Sequence, residues 1–88
     1  MYKVVFKKIA QKDLKKLDHS IRNEILDFVE IIAQNPFMMG KPLTGRLKGL
    51  WKYRVTDYRI IYEIQNELMI VMVVRVGHRK EIYEKLDR

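Results

Sequence analysis

The stretch WKYRVTDYRIIYE, Trp51 to Glu63, restricts the fold of this chain more than any other. Two runs of aromatic and β-branched residues flank Thr56-Asp57, and charged residues are interleaved with them. Side chains alternate across a strand, so Trp51, Tyr53 and Val55 share one face while Lys52 and Arg54 take the other. After the turn Tyr58, Ile60, Tyr62 and Ile64 share a face, opposite Arg59, Ile61 and Glu63. A two-residue turn at Thr56-Asp57 pairs Val55 with Tyr58 and Arg54 with Arg59. The apolar sets then coincide and need a covering layer. The remaining face presents Lys52, Arg54 and Arg59 together. Like charges directly opposite one another on a sheet destabilise it by up to about 1 kcal/mol, so folding gains nothing from this arrangement. A bound polyanion would remove the penalty. The plain alternative is that the guanidinium groups splay into water or pair with Glu63.

The rest of the chain supplies the covering layer. Tyr2 to Lys8 reads as a strand with Val4 and Phe6 on one side. Ile9 to Leu17 reads as a helix with Ile9, Leu14 and Leu17 inward and Lys12, Lys15 and Lys16 toward water. Asp18 or Ser20 can cap a second helix. Ile21, Ile25, Phe28, Val29 and Ile32 then form its apolar stripe. Asn35-Pro36 ends it, because the residue before proline avoids the helical region. Pro36 to Gly49 holds both prolines and three of the four glycines and reads as a loop. Strands then end near Val55, Ile64 and Val76, with Gln65-Asn66-Glu67 as the second turn. Gly77 is expected to break the last strand, and His78 to Leu86 to form a short final helix. The 88 residues are expected to form one domain, 1–88. Its order is β-α-α-β-β-β with a short C-terminal helix. The fold class is α+β: a small, mostly antiparallel sheet with two N-terminal helices packed on one face and the other face uncovered.

A net charge of +7 points to a polyanionic partner, a nucleic acid or an acidic protein, over a neutral small molecule. The chain has no cysteine, two histidines and no carboxylate cluster, so neither a metal nor another cofactor is expected. No apolar run approaches the ~20 residues of a membrane span. No membrane association is expected, and the cytoplasm is the expected location. In VVRVGHRKEIYEKL, Arg79 and Tyr83 stand four apart and would share a helix face, offering a phosphate donor and a ring for base stacking. His78 is the residue type best suited to proton transfer near neutral pH, against the plain reading of an exposed histidine at a helix start. His19 falls in the inter-helix turn and reads as a surface residue.

The pattern PLTGRLKGLWKYRVTDYRIIYEI followed by VVRVGHRKEIYEKL resembles the RelE/ParE superfamily of bacterial and archaeal toxins from toxin–antitoxin modules. The resemblance covers nearly the whole chain. It implies a small sheet with helices on one face and a cognate antitoxin as partner. The RelE branch implies a ribosome-dependent mRNA endonuclease whose basic residues line the open side of the sheet. Carried over, Lys52 matches the first strand lysine, and Arg54 falls where a second lysine is common. Arg59 matches the arginine of the D-Y-R step, Arg79 the arginine after the glycine, and Tyr83 the terminal tyrosine. The implied reaction is attack by the RNA's own 2′-hydroxyl on the adjacent phosphate, leaving a 2′,3′-cyclic phosphate. Fixed cations stabilise the charge that develops there, with Arg59 and Arg79 in that role and Lys52 as base. Arg54 in place of lysine keeps the charge but cannot give up a proton. Two alternatives stand beside this one: a ParE-like gyrase poison on the same fold, and a non-catalytic basic domain that docks an acidic protein.

Overall fold

A computed structural model describes residues 1–86. The chain runs β1 (Lys3–Phe6), α1 (Lys8–Lys15), α2 (His19–Gln34), α3 (Pro36–Met39), β2 (Lys41–Pro42), β3 (Leu50–Val55), β4 (Tyr58–Gln65), β5 (Ile70–His78) and α4 (Ile82–Leu86). Short 3-10 turns at Gly45–Leu47 and Asn66–Leu68 lie between strands. The sheet order is β1-β5-β4-β3-β2, with β1 parallel to β5 and every other pair antiparallel. The expected α+β architecture holds, with two additions. The segment from Pro36 to Gly49 is not a simple loop: it contains a helical turn and a two-residue edge strand. Pro42 is tolerated there because an edge strand leaves one side of its backbone unpaired.

The hairpin follows its alternation. Val55 pairs with Tyr58 and Arg54 with Arg59, so Thr56-Asp57 is the two-residue turn. The core forms where the apolar faces of β3, β4 and β5 meet α1 and α2: Val55, Ile60, Tyr62, Val71, Val73 and Val76 pack against Ala10, Leu14, Ile25, Val29 and Ile32. Val73 and Val76 both reach this core although three residues apart. A register shift between Ile61 and Tyr62 pairs Ile61 with Arg75 and Tyr62 with Val73, leaving Val74 as the extra residue. One extra residue reverses the parity of everything after it. Simple alternation along β5 would have put Val76 outside.

Several local expectations change. Ile9 is exposed, and Asp13 takes a buried place on α1 beside Ala10 and Leu14. Asp18 is the N-cap of α2, but its side chain makes no capping hydrogen bond. Gly77 does not break β5, which continues to His78. The chain turns after His78 instead: Glu81 donates its N–H to the His78 carbonyl and Lys80 to His78 Nδ1. Arg79 therefore precedes α4, and the four-residue step to Tyr83 does not lie on one helix face.

The face opposite the core is also not bare. A Cβ on Gly77 would lie 3.1 Å from Ile82 Cδ1, and Gly77 pairs with Arg59. So α4 lies on the Arg59 side of the sheet. Ile61 and Ile82 are both fully buried outside the main core. Ile61 interrupts the charged series between Arg59 and Glu63, and Ile82 brings an apolar side chain of α4 to the same face beside Gly77. Helices thus cover much of one face and part of the other, leaving the β2–β3–β4 corner open.

The hairpin tip is strained. Thr56 has φ of 51°, a left-handed conformation that crowds a β-branched side chain. Such residues cost of order 1–3 kcal/mol. Thr56→Gly relieves the crowding while losing some unfolded-state entropy. The variant should be roughly 0.5–1 kcal/mol more stable in urea unfolding; a lower midpoint would show that the turn carries no strain.

Candidate nucleic-acid cleft

The open corner is a cleft of about 380 Å³ lined by Met39, Gly40, Lys41, Lys52, Tyr53, Arg54 and Arg59. Four of these residues are cationic, and among the described residues no carboxylate lines it. The cations come from three adjacent strands, and register explains why they meet. Lys41 lies directly opposite Lys52, and Arg54 directly opposite Arg59. Both are like-charge pairs of the kind a sheet avoids.

The two arginines are held in place by backbone. Arg54 Nε donates to the Thr56 carbonyl at 3.3 Å. Arg59 donates through one terminal nitrogen to the carbonyls of Thr56, at 3.4 Å, and Tyr58, at 3.1 Å. The strained turn carbonyl is thus an anchor shared by two guanidinium groups, and neither needs a carboxylate partner. Glu63 instead accepts a hydrogen bond from Gln65. Arg79 joins the same tip: its N–H donates to the Asp57 carbonyl at 2.7 Å, and its Nε lies 3.8 Å from Asp57 Oδ1. Three guanidinium groups therefore converge on one turn, two as cleft wall and one beside it.

The other wall is fixed by Tyr62. Its hydroxyl donates to the Pro36 carbonyl at 2.8 Å, and burial pushes its pKa up to about 12. Gly40 sits hard against it: a Cβ there would come within 2.3 Å of the Tyr62 hydroxyl and 2.7 Å of the Lys52 carbonyl. Only glycine lets the chain pass between α3 and β3, and that passage delivers Lys41 to the cleft.

Of the residues singled out from sequence, Lys52, Arg54 and Arg59 share the cleft, and Arg79 adjoins it through Asp57. Tyr83 lies near the start of α4, partly exposed, and is not part of the cleft wall. His78 pairs with Tyr58 in register and meets its ring edge-on at 5.5 Å, on the core side of the sheet. It lines a different depression, with Asp13, Lys16 and Glu81 among its neighbours. Strand parity separates it from the cations. Lys41 is a cleft residue that sequence reasoning missed. Its one legible signal is a proline next to it, suited to an edge strand; only the register with β3 makes it a neighbour of Lys52.

The chain matches the family described as ParE toxin of type II toxin-antitoxin system, parDE, over residues 4–83. It is 35% identical to Toxin RelG of Mycobacterium tuberculosis over 85 residues, 96% of this chain and 98% of the relative. It is 25% identical to mRNA interferase toxin RelE of Escherichia coli K12 over 88 residues, 96% of this chain and 92% of the relative. Its fold superposes on a chain of the toxin-antitoxin complex RelBE2 from Mycobacterium tuberculosis with a TM-score of 0.84 at 35% identity, covering 89% of this chain and 98% of the other. Sequence, fold and a cation-lined sheet corner agree, and the chain belongs to the RelE/ParE superfamily of toxins of type II toxin–antitoxin modules.

Proposed function

We propose that this toxin cuts mRNA on the ribosome, using the RNA's own 2′-hydroxyl as nucleophile. One observation carries the reading: four basic side chains line a single cleft with no carboxylate among its described residues, and two are fixed to the turn by backbone carbonyls. Such a cleft suits a reaction that concentrates negative charge on phosphate oxygens. A protein-side nucleophile is not required.

In this reaction Lys52 acts as the neutral amine: it takes the proton of the 2′-hydroxyl and becomes cationic as charge builds on the phosphate. The 2′-oxygen forms a bond to the adjacent phosphorus, and the 5′-oxygen of the next nucleotide leaves with its bonding pair and takes a proton from water. The products are a 2′,3′-cyclic phosphate and a free 5′-hydroxyl. Arg59 and Arg54 hold the phosphate oxygens as their charge rises, with Arg79 adding positive potential from the tip. Tyr83, on α4 over the same side of the sheet, is the residue proposed to stack on a base at the cleft margin. His78 faces the core side and takes no part. The partner that restrains the toxin is a cognate antitoxin, in the cytoplasm.

The test is primer extension on mRNA from a translating extract given the purified toxin. Cuts within codons that vanish when ribosomes are omitted are the expected result. Intact mRNA together with double-strand breaks in gyrase-bound DNA would overturn this reading in favour of a ParE-type target, which the family match keeps in view.

A further inference from the structure

The four cleft cations are arranged in two rows. Lys41 and Lys52 form one cross-strand row, and Arg54 and Arg59 the other. Lys52 and Arg54 are two residues apart on β3, so the rows are separated by about 7 Å along the strand. One phosphate has no use for both rows. Two successive phosphates of one nucleic-acid strand, separated by a single ribose, fit a pair of cationic rows at that step.

The order of the rows gives the bound strand a direction. If Lys52 takes the proton of the 2′-hydroxyl and the Arg54–Arg59 row holds the scissile phosphate, the attacking ribose lies between the two rows. The other row, where Lys41 stands beside Lys52, then meets the phosphate on the 5′ side of that ribose. We infer that Lys41 is a substrate-positioning residue that holds the phosphate immediately 5′ of the attacking nucleotide. This inference rests on the nuclease reading for its direction. The placement of Lys41 carries its own structural requirement: glycine at position 40, beneath the Tyr62 hydroxyl. Both residues of β2 are exposed, so burial gives the strand no reason to form. A binding role supplies one.

The experiment is single-turnover cleavage on programmed ribosomes, with the linkage 5′ or 3′ of the cut nucleotide replaced by a neutral methylphosphonate. For the wild type, neutralising the 5′ phosphate should slow cleavage about tenfold. Lys41→Gln should be about tenfold slower on native mRNA and no slower again on the 5′-neutral mRNA, while the 3′ substitution costs both proteins alike. Native-rate cleavage by Lys41→Gln, or losses that multiply at the 5′ position, would overturn the inference. A second measurement separates it from the nuclease reading. Binding of a 2′-deoxy oligonucleotide to the free toxin should show a log–log salt slope shallower by about 0.7 in Lys41→Gln, the share of one single-strand phosphate. That measurement needs no cleavage; if the wild type cuts nothing, an unchanged slope still rejects Lys41 as a phosphate ligand and a shallower one supports it.

Discussion

Arg59→Ala is expected to slow mRNA cleavage on the ribosome by at least about 10²–10³-fold, the loss typical of removing one preorganised donor from a site of developing charge. Its guanidinium is held by two backbone carbonyls at the hairpin tip, so it meets the phosphate without reorganising. That preorganisation is what the truncation removes. The fold should not suffer, because Arg59 faces Arg54 across the ladder and their repulsion disappears with it. The melting temperature should stay level or rise slightly. Arg59→Lys should fall between the two, keeping the charge but losing the planar fork. Primer-extension rates beside thermal melts check all three; cleavage by Arg59→Ala within threefold of wild type would remove Arg59 from the chemistry.

Asp13→Ala should be the most destabilising simple truncation of a charged side chain, by roughly 3–5 kcal/mol. The Asp13 carboxylate is 4% exposed and accepts from Arg75 Nε at 2.9 Å, from an Arg75 terminal nitrogen at 3.0 Å and from the Val76 N–H at 3.0 Å. Its position answers a need of the sheet. The edge strand β1 pairs with β5 only from Ile70 to Val73, so the edge of β5 beyond that point lacks a neighbouring strand. Helix α1 fills the gap, and Asp13 accepts the donor that a longer β1 would have taken. Alanine leaves the Arg75 guanidinium, only 15% exposed, without its counter-charge, and leaves the Val76 N–H without an acceptor. For a domain of this size each kcal/mol is worth roughly 4–8 °C in melting temperature, so the loss is read directly from a melt. Arg75→Met combined with Asp13→Leu should recover much of it, since replacing both members of a buried pair with apolar groups costs far less than breaking it. A melt within a few degrees of wild type for Asp13→Ala would show that water reaches the site.

Much of this was legible in the chain because it depends on local period. The strand alternation in WKYRVTDYRIIYE placed Lys52, Arg54 and Arg59 on one face and fixed the two-residue turn, as the register bears out. The three- and four-residue steps from Ile25 through Val29 to Ile32 located the buried side of α2. The resemblance pointed to the superfamily to which the chain belongs.

What sequence alone did not reveal involves partners distant along the chain. Asp13 looked like one more charged residue among lysines until folding brought Arg75 beside it. Lys41 lay in a glycine- and proline-rich stretch until pairing with β3 made it part of the cleft. His78 looked like a neighbour of Arg79, yet strand parity put His78 against Tyr58 on the core side while Arg79 bonds to Asp57 at the hairpin tip. The extra residue at Val74 reset which face of β5 is buried. Periodicity is a property of neighbours within one element, so the sequence determined which faces exist. Register, bulge and edge pairing arise only when elements meet, so the tertiary structure decided which charges share a face, and which of them are left free to hold a phosphate.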